Sequence, residues 1–160
     1  MRRPLLLLTL AALLPATANA QSPDFSGTWK INMIKSDAAP QGRGGQQMDM
    51  SKMMLAITQT AEMITIVQSG TGQELTTSYY LDGRESTNAA RRGEMKSKSK
   101  WDGGKLVTDG SATFEGPNGQ VTMTMKDVRE LSKDGKTMTV TSTTDSPMGQ
   151  RTRKTVFDKQ

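Results

Sequence analysis

Between residues 27 and 158 the chain is interrupted at short intervals by glycine-bearing turn sequences: Gly70-Thr71-Gly72, Asp82-Gly83, Asp102-Gly103-Gly104, Asp109-Gly110, Asn118-Gly119 and Asp134-Gly135. Asp-Gly and Asn-Gly tolerate the positive φ that tight hairpin turns require. The segments between them are short and alternate apolar with polar residues, which is the period of a strand with one wet face. Strands are predicted over 28–35, 54–59, 63–68, 74–81, 94–101, 105–108, 111–114, 120–131, 137–142 and 151–158. The total is eight to ten, according to whether Asp109-Gly110 is a hairpin turn or a bulge.

Trp29, Ile31 and Met33 share one face of the first segment, and Leu55 with Ile57 and Ile64 with Ile66 do the same in the next two. Leu75, Thr77, Tyr79 and Leu81 continue the pattern, followed by Met95 with Trp101, Val121 with Met123 and Met125, and Met138 with Val140. The opposite faces are mostly Thr, Ser, Lys and Glu. A sheet wet on one side must close or fold over to bury the other. The expected fold is therefore all-β, an antiparallel up-and-down barrel, with a two-sheet sandwich as the alternative. Residues 37–52 break the pattern with turn formers and glutamines, so a long mobile loop is expected there, with a helical turn or two over 47–54.

The chain has 160 residues and contains neither cysteine nor histidine. Disulfides, thiolate metal sites, Cys or His nucleophiles and imidazole proton shuttles are all excluded. Residues 1–20 read as a cleaved signal peptide: Arg2-Arg3, an apolar run from Leu5 to Leu14, and Ala18-Asn19-Ala20 before Gln21. That run is too short to span a bilayer. A single exported domain over 21–160 is expected, in a bacterial periplasm or the medium, as a monomer. Loss of Arg2 and Arg3 removes two charges from a formal +5, which leaves a mildly basic chain and no strong claim on nucleic acid.

The phrase Phe25-Ser26-Gly27-Thr28-Trp29-Lys30-Ile31-Asn32, with Lys35-Ser36 after it, resembles the opening of small exported bacterial proteins of unknown function. Leu81-Asp82-Gly83-Arg84-Glu85-Ser86, Ser97-Lys98-Ser99-Lys100-Trp101-Asp102-Gly103 and Leu131-Ser132-Lys133-Asp134-Gly135-Lys136-Thr137 extend the resemblance, and Val156-Phe157-Asp158-Lys159 ends it. It implies a lipocalin-like, or calycin-like, barrel. Gly27 and Trp29 also match the lipocalin G-x-W signature. In that family the Trp packs across the closed barrel end beneath a basic residue from late in the chain, a part Arg151, Arg153 or Lys154 would fill.

Three features bear on function. Trp29, Met33, Tyr79, Trp101, Met123 and Met125 are the candidate lining of a cavity for a small apolar or amphipathic ligand, since methionine adapts to irregular shapes. A solid core made of the same side chains is the competing outcome. Met48, Met50, Met53 and Met54 form a second cluster whose thioethers suit Cu(I), or else the apolar face of a short helix over the barrel mouth. Arg84, Arg91, Arg92, Lys96, Lys98, Lys100 and Lys105 make the hairpin 84–105 basic, a candidate contact for anionic lipid or polysaccharide. No nucleophile elbow, phosphate loop or paired carboxylates occur, so neither catalysis nor a cofactor is expected. The leading reading is an exported, non-enzymatic binding protein, and the alternative is a solid envelope module acting through the basic hairpin.

Overall fold

The period-two segments become ten antiparallel strands in the computed structural model, which describes residues 22–38, 49–90, 93–116 and 119–160. The leader expected at 1–20, the centre of the expected loop (39–48, with Met48) and the Arg91-Arg92 pair lie outside the described residues. The strands are β1 (Gly27–Ile31), β2 (Met54–Gln59), β3 (Met63–Ser69), β4 (Leu75–Tyr80), β5 (Glu85–Ala89), β6 (Glu94–Asp102), β7 (Lys105–Gly116), β8 (Gly119–Leu131), β9 (Thr137–Ser146) and β10 (Gly149–Lys159). They form one sheet in the order β4-β3-β2-β1-β10-β9-β8-β7-β6-β5, so the chain meanders and β1 meets β10. The result is a nearly closed up-and-down barrel.

The remaining seam lies between β4 and β5, which share no backbone ladder. Side chains bridge it instead. Asn88 accepts a hydrogen bond from the Ser78 amide at 2.7 Å and donates to the Ser78 carbonyl at 2.9 Å, while the Ser86 hydroxyl accepts from the Tyr80 amide at 2.9 Å. That chemistry explains why β5 carries no strand signal: Glu85-Ser86-Thr87-Asn88 turns polar residues inward to satisfy a backbone. In the opposite direction, the strands expected at 105–108 and 111–114 are one strand, β7, with Asp109-Gly110 inside it. A Cβ on Gly110 would come within 3.3 Å of the Ser97 Cβ and 3.4 Å of the Lys96 carbonyl. This glycine therefore marks a close approach of β6 rather than a turn.

The closed end of the barrel is solid. Phe25, Trp29, Ile64, Leu106 and Met138 are fully buried there, each worth about 1.5–3 kcal/mol for an aliphatic or phenyl side chain withdrawn from water. The Trp29 indole donates to the Phe25 carbonyl at 2.8 Å, and the Phe25 ring stacks on Trp101 with centroids 6.0 Å apart. The basic residue over Trp29 is Lys159, its Nζ 5.2 Å from the ring centroid, and not Arg151, Arg153 or Lys154. Strand pairing decides this, because Trp29 registers with Lys159. Gly27 is needed for the same contact: its φ is +128°, and a Cβ would lie 2.8 Å from the Lys159 Cε.

β1 stops at Ile31, short of the expected 35. The Asn32 side-chain oxygen accepts from the amides of Ile34 and Lys35 at 3.1 and 3.0 Å, and the Ser36 hydroxyl accepts from the Val156 amide at 2.8 Å. This Asx turn leaves the strand and puts Met33 in solvent.

Candidate functional site

Above the closed end the barrel holds a cavity of about 290 Å³. Met50, Met53, Leu55, Tyr79, Met125 and Phe157 supply much of its apolar wall. Met50 and Met53 reach it from a tight turn, in which the Met53 amide donates to the Met50 carbonyl at 2.9 Å, rather than from the expected helical turn. Gly70 permits that turn to sit down. A Cβ there would fall 1.8 Å from the Lys52 carbonyl, and the residue has a φ of +83°.

The methionine cluster is consequently split. Met50 and Met53 are buried in the barrel mouth, whereas Met54 begins β2 on the face opposite Leu55. The expected convergence on Cu(I) relied on one helical face, and strand alternation sends Met54 the other way, so Met50, Met53 and Met54 do not share a face. Among the described residues no group of three or more His, Cys, Asp or Glu is placed to hold a metal.

One wall of the cavity is polar. On the inner face, strand register aligns Ser99 with Thr108, Thr108 with Asp127, Asp127 with Ser142, and Ser142 with Arg153. Ser99 and Thr108 lie fully buried outside the cavity lining and share a hydrogen bond of 2.8 Å, while Asp127, Arg129, Ser142 and Arg153 face the cavity. Arg129, two residues beyond Asp127 on the same face, donates to its Oδ2 at 2.9 Å, and both side chains are less than a tenth exposed. The Arg129 guanidinium also stands 5.7 Å from the Tyr79 ring centroid. Arg153 donates Nη2 to the Met50 sulfur at 3.2 Å. Asp127 Oδ1 and Arg153 Nε are buried without a partner. Two guanidiniums face one carboxylate, so the cavity carries a surplus positive charge.

Met95 and Met125 connect this cavity to a second apolar space of about 390 Å³, lined further by Ala112, Phe114 and Met123. It lies on the inner face of β7 and β8, whose 12 and 13 residues outreach the five to seven of β1–β4. The long strands thus extend the apolar lining as a shelf past the mouth.

Of the six residues expected to line a cavity, Tyr79 and Met125 do so and Met123 lies on the shelf. Trp29 and Trp101 belong to the closed-end core, because the Asp102–Lys105 turn beside Trp101 lies at that end. Met33 is 42% exposed in the turn after β1. Asp127 and Arg129 escaped sequence reasoning, although continuing the Val121, Met123, Met125 alternation points them inward, and Arg153 was expected over Trp29 rather than in the cavity.

The basic hairpin is less basic in three dimensions. Lys96 pairs with Glu85 at 3.5 Å, Lys98 registers with both Glu85 and Asp109, and Arg84 pairs with Asp82 at 2.7 Å. Lys105 binds Glu130 at 2.7 Å, and that hydrogen bond raises its pKa above the ordinary lysine value. Carboxylates from β5, β7 and β8 interleave with the lysine row and cancel much of its field. Lys100 instead registers with Val107.

No protein-family model matches the chain, and neither does any curated protein sequence. Solved structures do match. The zebrafish ileal bile acid-binding protein in complex with cholic acid is 20% identical with a TM-score of 0.59, over 85% of this chain and 98% of that one. A secretory abundant heat soluble protein from Ramazzottius varieornatus is 17% identical with a TM-score of 0.58, over 84% and 94%. The REP1-NXSQ fatty acid transporter is 15% identical with a TM-score of 0.55, over 85% and 96%. At such identities the likeness is one of backbone, and it establishes the fold alone, a lipocalin-like antiparallel β-barrel that this chain shares with these proteins.

Proposed function

We propose that this protein is an exported, non-enzymatic carrier of a small amphipathic molecule with an acidic head. The observation that carries the reading is Arg153: its Nε is buried and unpartnered against a cavity whose other walls are largely methionine, aliphatic and aromatic. A buried donor on a cation gains most from an anionic acceptor. The ligand's apolar part runs from the cavity past Met95 and Met125 onto the shelf at Phe114 and Met123. Support for binding rather than catalysis comes from the fold neighbours, among them a bile acid-binding protein and a fatty acid transporter. Support for export comes from the signal-peptide pattern of residues 1–20.

Native mass spectrometry of protein purified from its own host is expected to retain an acidic lipid-like mass. A fluorescent anionic fatty acid analogue is expected to bind, and Arg153→Gln to weaken it by roughly tenfold or more, the loss of one charge-assisted hydrogen bond. An empty barrel that also fails to bind the analogue overturns the reading.

A further inference from the structure

The two groups left without partners in the cavity differ in kind. Arg153 Nε can only donate, and an ionised Asp127 Oδ1 can only accept. A plain carboxylate head would satisfy Arg153 while leaving Asp127 Oδ1 facing a second anion. A plain amine would satisfy Asp127, but its charge would meet Arg129 and Arg153. Asp127 and Arg153 register on either side of Ser142, two strand spacings apart, or roughly 10 Å between backbones. Both side chains line the same cavity, so one bound molecule can address the two.

We propose that the ligand's head bears a hydrogen-bond donor close to its acid group, as in a hydroxy acid, with the donor on Asp127 Oδ1 and the anion on Arg153. This rests on the reading of the cavity as a site for an acidic amphiphile. Asp127 is held for the task by Arg129, which occupies Oδ2 and fixes the direction of Oδ1. A ligand that supplies a donor to that oxygen gains about tenfold in affinity over one that leaves it unpaired.

Isothermal titration of the whole protein with dodecanoic acid, 3-hydroxydodecanoic acid and dodecan-1-ol tests both levels. The hydroxy acid is expected to bind about tenfold more tightly than dodecanoic acid, and the alcohol more weakly than either. Asp127→Asn places an amide N–H in the free position and is expected to abolish the preference between the two acids. Should that variant fail to fold, the ratio of the two acids on the unaltered protein decides alone. Equal affinities for the two acids overturn the donor assignment while an acid-over-alcohol preference leaves the acidic-amphiphile site standing. No binding of any of the three overturns both.

Discussion

Trp29 is held from three directions: its indole N–H by the Phe25 carbonyl, its face by the Lys159 ammonium, and its edges by the closed-end core. Each contact follows from a different stretch of chain, which is why a single position concentrates so much stability. Trp29→Ala is expected to destabilise the fold by about 3–5 kcal/mol, read as a fall in the urea midpoint. That is a large share of the roughly 5–15 kcal/mol typical of a small domain. Trp101→Ala is expected to cost less, because its ring is only partly buried and stacks on Phe25 from one side. The G-x-W spacing was legible in the sequence, since a glycine before a buried indole records a close approach. The identity of Lys159 was not, because it depends on the register of β1 against β10. At Asp127 and Arg129 the alternation was legible but their polarity argued for the outer face, and their mutual ion pair, with the contacts of Arg129 to Tyr79 and Thr108, makes the inner face tolerable.

Hairpins and their caps account for the elements. At the β8–β9 connection Asp134 accepts from the Ser132 hydroxyl at 2.6 Å and the Lys136 amide at 3.1 Å, and these bonds hold its carboxyl below the usual value of 3.8. A lowered folded pKa means a contribution fully present above the unfolded value and lost as pH falls through the folded one. The urea midpoint is therefore expected to drop on acidification from about pH 5 to about pH 2.5, and part of that drop to disappear in Asp134→Asn. Asp82 and Asp49 are lowered by similar bonds, to Arg84 and to Ser51, and contribute with the same sign. The β4–β5 seam makes a different prediction. Asn88→Ala leaves the Ser78 amide and carbonyl without their partner, so amide exchange at Ser78 is expected to accelerate and stability to fall by about 1–3 kcal/mol. Unchanged exchange at Ser78 would mean that the seam is held by something other than this side chain. Ordinary strand propensity cannot reveal β5, whose work is done by side-chain amide and hydroxyl groups.

Across the whole molecule the barrel is graded from solid to open. Both tryptophans sit at the solid end, so neither indole is expected to change its emission when an amphiphile binds. A reporter at the other end should respond: Phe114→Trp places an indole on the shelf, and its emission is expected to shift to the blue on addition of a twelve-carbon acid. No shift in that variant, with binding detected by another method, would remove the shelf from the ligand's path. Unequal strand lengths create this gradient, with β7–β10 overhanging a mouth whose other side is built from shorter strands.

What the sequence determined by itself was the antiparallel meander, the inward face of most strands and the core role of the G-x-W tryptophan. Each of these rests on local information, either two-residue periodicity or the φ demanded at a turn. The tertiary structure decided which inward residues form core and which line a cavity. It seated Met50 and Met53 in the mouth, moved Trp101 and Met33 out of the site, and set carboxylates against the lysines of the hairpin. Above all it aligned Asp127, Ser142 and Arg153 across three strands. Registers between strands fix such neighbours, and they emerge only when all ten strands close on one another, so no single segment contains them.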